Sequence, residues 1–468
     1  MAKIALYFSH TLAKIALYFS HLWTKSMKRA LLHSLIEWKN KKNRSPLILR
    51  GARQVGKTYL VEIFAKQYFD NSITLNLETE TTLAPIFSSL DPQKIIQTLS
   101  LSKQEKIIPG KTLLFLDEIQ NCPMAIVALR YFKEKMPELH VIATGSLLEF
   151  TLNNEKISIP VGRIEFLFLY PLSFTEFLIA RDLENLQTHL KRVSLKNPLD
   201  NALHQQLLAL SKEYFLLGGM PAVISEYIQT KDSLECQRKQ NNLLLTYQYD
   251  FGKYTPLSKH KYLQSLFDKT PSLIAKTFKY NSIDPGYRSR EIKEAIQLLS
   301  NAGVIHVVYA SSASGLPLRA QVNEKKFKLL FLDLGLVQRS LQLENLILQP
   351  NVELQLINSG QLAEQFVGQE LLAYQDPSLP AHLHYWLRDK KSSMAEIDYV
   401  ITFKNRIYPI EVKYGKTGHL QSLILFMKEK GSEIGIKVSQ APLSFQNQIL
   451  NIPFYLISEL PRLLDLHI

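Results

Sequence analysis

The chain has 468 residues, 46% of them hydrophobic and 21% charged, which suits about two to four globular domains and excludes a disordered or fibrous protein. Its formal charge of +13 favours an anionic partner, although excess lysine serves solubility as often as binding. Two cysteines, Cys122 and Cys236, are too few for a disulfide scaffold and too far apart for a zinc knuckle, so a reducing cytoplasm is the expected compartment.

Residues 2–10 recur letter for letter as residues 13–21. His10 and Lys14 interrupt the apolar runs before they reach the roughly 18 continuous residues of a membrane span. The repeat reads as a duplicated leader over 1–26 that lies outside the fold, with translation starting at Met27. Residues 29–39 then carry apolar side chains at helical spacing, predicting a lead-in helix.

The apolar run 46–49 opens into Gly51-Ala52-Arg53-Gln54-Val55-Gly56-Lys57-Thr58, a G-x-x-x-x-G-K-T loop between a predicted strand and a predicted helix over 58–69. The two glycines let successive N–H groups converge on phosphate oxygens. Lys57 is expected to reach the β- and γ-phosphates of ATP, and the Thr58 hydroxyl to ligate Mg²⁺. A strand over 73–77 and a mostly helical stretch over 83–100 follow.

The apolar strand 112–116 ends in Asp117-Glu118. Asp117 at a strand tip can hold the Mg²⁺ shell while Glu118 polarises a water for attack on the γ-phosphate. The strand 140–143 runs into Thr144-Gly145-Ser146, where Thr144 or Ser146 could sense that phosphate; an ordinary polar turn explains the same residues. Arg163, opening a strand over 162–166, is a candidate charge-neutralising arginine.

Residues 49–58, 116–120, 143–146 and 171–177 together resemble a family of AAA+-type prokaryotic ATPases that carries an uncharacterised C-terminal domain. The resemblance implies a chain starting near Met27 and a P-loop fold with a catalytic glutamate, its P-loop strand central in a parallel sheet. Helical spacing over 174–190, 201–217 and 233–249 is similar to that family's lid. A helix over 290–301 followed by a hairpin resembles a winged helix, with Arg288, Arg290 and Lys293 as its nucleic-acid contacts; a hairpin used only for packing fits equally.

From residue 326 the chain turns α/β again. Asp398 lies in a predicted strand, Glu411 and Lys413 share one face of the next, and Glu364 sits on a helix over 362–374. Two acids and a lysine so placed suit Mg²⁺-assisted phosphodiester cleavage. They resemble the PD-(D/E)xK nucleases, with Glu364 in the place of the helical acid and no proline before Asp398. A charged face or a non-cutting relative is the competing reading.

The expected architecture is thus α/β: a P-loop ATPase domain over 27–170, a helical lid over 171–257, a winged-helix-like module over 258–325 and a restriction-nuclease-like domain over 326–468. The expected partners are ATP, DNA or RNA and further copies of the chain, with no membrane. A nucleotide-dependent switch that regulates a protein partner is the alternative function.

Overall fold

The computed structural model describes residues 27–145, 162–342, 359–390, 393–415 and 419–466. After a lead-in helix, α1 (Leu32–Asn40), come β1 (Leu47–Arg50), α2 (Lys57–Tyr68), β2 (Asn71–Asn76), α3 (Pro92–Lys103), β3 (Thr112–Asp117), α4 (Pro123–Lys135), β4 (His140–Gly145) and β5 (Glu165–Phe168). The five strands form a parallel sheet in the order β2-β3-β4-β1-β5. β1 is interior, one place from the edge.

Both faces of this sheet are covered, which is why its strands read as unbroken apolar runs. Ile48, Leu114 and Leu116 point into one core beneath α3 and α4. Leu47, Leu49, Leu113 and Phe115 point into the other. The stretch 83–100, expected to be mostly helical, is two pieces: a 3₁₀ segment (Ala84–Ser89), then α3, restarted by Pro92 with the Asp91 carboxylate accepting from the Gln93 N–H. Likewise 174–190 divides into α5 (Phe174–Ala180) and α6 (Glu184–Leu190) around Asp182, whose φ of 60° ends a right-handed helix.

Helices α7 (Asn201–Leu217), α8 (Pro221–Thr230), α9 (Ser233–Tyr249), α10 (Leu257–Leu273) and α11 (Ser289–Asn301) follow. Next come β6 (Ile305–Ser311), β7 (Val322–Phe331), α12 (Leu334–Ser340), α13 (Ser359–Ala373), β8 (Leu383–Lys390), β9 (Ser393–Phe403) and β10 (Arg406–Val412). The chain closes with α14 (Gln421–Lys430), β11 (Gly435–Ser439), β12 (Ser444–Gln446), β13 (Ile449–Pro453) and α15 (Leu460–Asp465).

β6 to β13 make one mixed eight-stranded sheet in the order β12-β13-β11-β10-β9-β8-β6-β7. The β6–β7 hairpin therefore belongs to the C-terminal sheet: β6 pairs in parallel with β8 through Val308–Leu383, Tyr309–His384 and Ala310–Tyr385. This covers a hairpin edge that would otherwise expose unpaired backbone groups. The boundary expected at 325/326 falls inside β7.

The second of the cores flanking the P-loop sheet runs from Leu31 to Leu464, joining that sheet, the helices and the C-terminal sheet. Polar ties cross it. The Asp333 carboxylate accepts from the Gly219 N–H at 2.6 Å, Glu370 accepts from the Phe174 N–H at 2.9 Å, and the Pro377 carbonyl accepts from the Phe168 N–H at 2.8 Å on the outer edge of β5. Burial lifts the Glu370 carboxyl to about 8, against the hydrogen bonds it accepts from Tyr374 and the Phe174 N–H.

Candidate active sites: the P-loop and the C-terminal acid cluster

β1 delivers Gly51 to a point where no other residue fits. Its φ is 150°, and an added Cβ would lie 2.1 Å from the Leu169 carbonyl oxygen. The loop then turns through Gln54 (φ 63°) and Gly56 (φ 94°) into α2, whose first residues are Lys57 and Thr58. The Lys57 ammonium is buried and donates to the carbonyls of Gly51 and Ala52 at 3.0 and 2.8 Å. Burial pulls its pKa down to about 8, with Glu118 and Asp117 opposing the shift.

β3 carries Asp117 to the same spot. The Thr58 hydroxyl donates to both Asp117 oxygens, at 3.2 and 3.1 Å; the Thr144 hydroxyl, at the tip of β4, donates to Oδ1; and the Glu118 N–H donates there at 3.1 Å. Glu118 itself has φ 52°, which turns it out of the strand line, and its Oε2 accepts from Gln120 Nε2 at 2.5 Å. The structure thus gathers Gly51, Ala52, Arg53, Gln54, Val55, Gly56, Lys57, Thr58, Asp117, Glu118 and Thr144. Ser146 lies outside the described residues.

Arg163 is not brought to this loop. It precedes β5, whose Glu165 stands beside Leu47 at the start of β1, while the P-loop follows the opposite end of that strand. Its Nε donates to Glu134 on α4 at 3.1 Å, in a half-exposed pair that also holds Arg130. In a parallel sheet the strand starts and strand ends form opposite edges, so an arginine at the start edge cannot reach its own chain's phosphates.

Two supports had no local signal in the sequence. Arg29 is buried and donates to Glu176 at 3.1 Å, to the Val55 carbonyl at 2.8 Å and to the Tyr170 carbonyl at 2.6 Å, tying the loop's back to the helices. On the other side Arg53 pairs with Asp250, while the Tyr247 hydroxyl of α9 donates to the Arg53 carbonyl at 2.5 Å. Both involve partners well over a hundred residues distant.

The second site is an acid cluster on the C-terminal sheet. β9 and β10 pair antiparallel with Tyr399 opposite Ile410, so Asp398 and Glu411 face each other one step further on. Asp398 Oδ2 accepts from the Val412 N–H at 2.7 Å, and Lys413 Nζ donates to Glu411 Oε1 at 2.7 Å. Glu411 Oε2 is buried with no hydrogen-bond partner among the described residues. Burial, with Asp398 adding, raises the Glu411 carboxyl to about 7.

Glu364 reaches the cluster from α13, but not alone. Lys328 of β7 is 1% exposed and lies 2.7 Å from Glu364, 2.5 Å from Glu396 and 3.8 Å from Asp398. Burial works against its charge, yet Glu364, Asp398 and Glu396 together outweigh burial and hold the ammonium above the ordinary lysine range. Among the described residues no three side chains of His, Cys, Asp or Glu are gathered so that they could hold a metal ion. A second ammonium, that of Lys328, stands among Glu364, Glu396 and Asp398, where the sequence suggested Lys413 alone beside the acids.

The P-loop, its Asp-Glu strand tip and a five-stranded parallel sheet define a P-loop ATPase domain of the AAA+ class. In agreement, residues 43–178 match a family described as an AAA domain. Residues 208–346 and 359–455 match two domains of unknown function, DUF8612 and DUF4143. No curated protein matches the chain.

Among solved structures, the chain is similar to the ORC1 protein of Aeropyrum pernix in complex with DNA, at 14% identity and a TM-score of 0.27 over 67% of this chain and 91% of that one. The ORC2 protein of the same organism gives 12%, 0.31, 70% and 94%; PCH-2 of C. elegans gives 14%, 0.28, 47% and 69%. TM-scores this low give these likenesses no weight for function. Among the described residues no single helix is long and apolar enough to cross a membrane.

Proposed function

We propose that the protein is a Mg²⁺-dependent ATP hydrolase of the cytoplasm. The observation that carries this is the Asp117 carboxylate, which accepts from Thr58, Thr144 and the Glu118 N–H at once. Thr58 and Asp117 offer adjacent hard oxygen donors of the kind Mg²⁺ takes, and a bound Mg²⁺ would supply positive charge against the phosphate oxygens. The loop amides and the start of α2 hold the phosphates. Lys57 exchanges the Gly51 and Ala52 carbonyls for phosphate oxygens, and Glu118 orients a water and takes its proton. Glu118→Gln should leave ATP binding intact and slow phosphate release by roughly a hundredfold or more. Normal turnover in that variant would remove Glu118 from the reaction.

The remaining segments read as a helical lid, α5–α9, a winged-helix-like stretch over 258–325 whose hairpin is shared with the C-terminal sheet, and that sheet itself as a nuclease-like unit acting on DNA or RNA. In the last, Asp398 and Glu411 would offer oxygen donors to Mg²⁺ and Lys413 would stabilise developing charge, while Glu364 would join them only on leaving Lys328. The orphaned, buried Glu411 Oε2 supports a cation there. Lys328 supports a second reading, in which its ammonium neutralises the acids permanently and the sheet serves a nucleotide-controlled switch toward a protein partner. Melting the full chain in EDTA and in Mn²⁺, with labelled DNA and RNA scored for cutting, separates them. A metal-raised melting point with cutting supports the nuclease; indifference to metal and intact strands support the switch.

A further inference from the structure

Between the two sheets lies a cleft of about 1370 Å³. One wall is the end of the P-loop strand, Arg50, Gly51 and Ala52, with Phe168 at the end of the neighbouring strand β5 and Tyr170 just beyond it. The opposite wall is α11 and the β6–β7 hairpin, with His382 and His384 entering from β8 and the residues before it. The two walls meet where the Tyr170 ring lies 5.8 Å from that of His306, and again at Gly303. Gly303, which links α11 to β6 at φ 72°, lies so close that an added Cβ would meet the Ala52 nitrogen at 3.2 Å.

The charges in this cleft are one-sided. Arg50, Lys293, Arg319 and Lys325 line it against a single acid, Glu324. Lys293, Arg319 and Lys325 are exposed to solvent and form no ion pair among the described residues, so their charges are not already spent internally. Arg319 also bears on His382 and His384: burial lowers both imidazoles, Arg319 lowers His382 further, and His382 and then Arg319 add to the fall of His384 to about 4.

Beside the cations lies aromatic surface. Phe327 stacks on Phe278 at 5.1 Å and is met edge-on by Tyr280 at 6.2 Å and Tyr309 at 6.1 Å. Tyr280, Tyr309 and Phe327 all line the cleft. Across from them the Arg50 guanidinium lies over the Phe168 ring at 5.3 Å.

We propose that this cleft binds a single strand of nucleic acid, with the cations on its phosphates and the half-buried Tyr280 and Tyr309 rings, backed by the buried Phe327, against its bases. Unpaired cations beside π-faces are what such strands select, because every base has a face to stack. The volume exceeds the roughly 300–1,000 Å³ of a small-ligand pocket. A concave wall also suits one strand better than a duplex, which is read by a protein element projecting into its groove. The site differs from a recognition-helix docking through Arg288 and Arg290, neither of which lines the cleft. The proposal rests on the nucleic-acid reading above only for the class of partner. Because Gly51 and Ala52 form part of the wall, a bound strand lies beside the phosphate loop and should alter ATP turnover.

The test is fluorescence anisotropy of the full chain with a labelled oligo(dT), a duplex of the same length and a labelled polyglutamate peptide. Lys293→Ala/Arg319→Ala/Lys325→Ala should weaken oligo(dT) binding by about tenfold or more and flatten its salt dependence by roughly two units of slope. Arg288→Ala/Arg290→Ala should stay within about threefold of wild type. These five side chains are exposed, and unchanged thermal melts confirm that the variants fold. If the wild type binds oligo(dT) and the triple variant binds equally well, the cleft is overturned while the nucleic-acid reading survives. Failure of the wild type to bind either nucleic acid overturns both. Preference for the duplex or for polyglutamate overturns the cleft assignment.

Discussion

The P-loop and the C-terminal acid cluster both hold a buried lysine, yet their charges are settled in opposite ways. Lys57 donates only to carbonyls of its own loop, which carry no net charge, and burial pulls its pKa down to about 8. Such a cation is destabilised until an anion arrives. Lys328 already has Glu364 and Glu396 within hydrogen-bond distance and is held charged by them. At one site the lysine is held by neutral carbonyls of its own loop; at the other it is held by carboxylates. A buried lysine therefore marks a ligand site only when its neighbours leave it unneutralised.

The contrast can be broken most sharply at Lys57. Lys57→Ala should abolish ATP binding, a loss of roughly a hundredfold or more in a binding titration, because the compact cation of the phosphate cradle is gone. Unchanged affinity would mean that the loop amides suffice. Next in size, Lys328→Met should cost about 3–5 kcal/mol in chemical denaturation, since it strands buried carboxylates without their partner. The same variant sharpens the comparison: with the ammonium gone, Mn²⁺ should restore part of the loss. A Lys328→Met protein as stable as wild type would show that the acids are already protonated.

A smaller effect concerns Glu370, which joins α13 to the start of α5. Its folded pKa, about 8, stands above the ordinary 4.5, so the folded state holds a proton that the unfolded chain has released. Its contribution is therefore present below about pH 4.5 and is lost as the pH rises through about 8, with a slope of at most about 1.4 kcal/mol per pH unit. Glu370→Gln should flatten that part of the stability profile in denaturant titrations at several pH values. Smallest of all, Arg163→Ala should leave both the melting point and the turnover of dilute protein unchanged, because solvent screens its pair with Glu134. Slower turnover that appears only on raising the protein concentration would place Arg163 at a neighbouring copy's phosphates.

The nucleotide site was legible because its signals are local. A turn that needs two glycines, the lysine and threonine opening a helix, and two acids closing an apolar strand all lie within a few residues of one another. Asp398, Glu411 and Lys413 were legible for the same reason, since a short hairpin fixes their mutual placement. Lys328 was not: it is the last lysine of Lys325-Lys326-Phe327-Lys328, and nothing in that run distinguishes the one turned inward. Its role depends on β6 pairing with β8 some 75 residues downstream, a long-range choice that periodicity does not encode. Arg29 and Asp250 escaped notice likewise, each serving the loop from a distant segment. The two divided helices were hidden by apolar spacing that continues across the break.

The hydrogen bond from the Phe168 N–H to the Pro377 carbonyl has a consequence for the order of synthesis. β5 is an edge of the first sheet, and the segment that caps it emerges only after roughly two hundred more residues, about 10–40 s of translation. During that interval the half-built ATPase would present an uncapped strand beside an apolar face whose covering also comes from residues as late as Leu464. The N-terminal sheet can form early on the ribosome, but it cannot be finished there until the chain is nearly complete. A ribosome stalled between residues 170 and 370 should therefore expose a species that recruits chaperones, and one released after residue 464 should not.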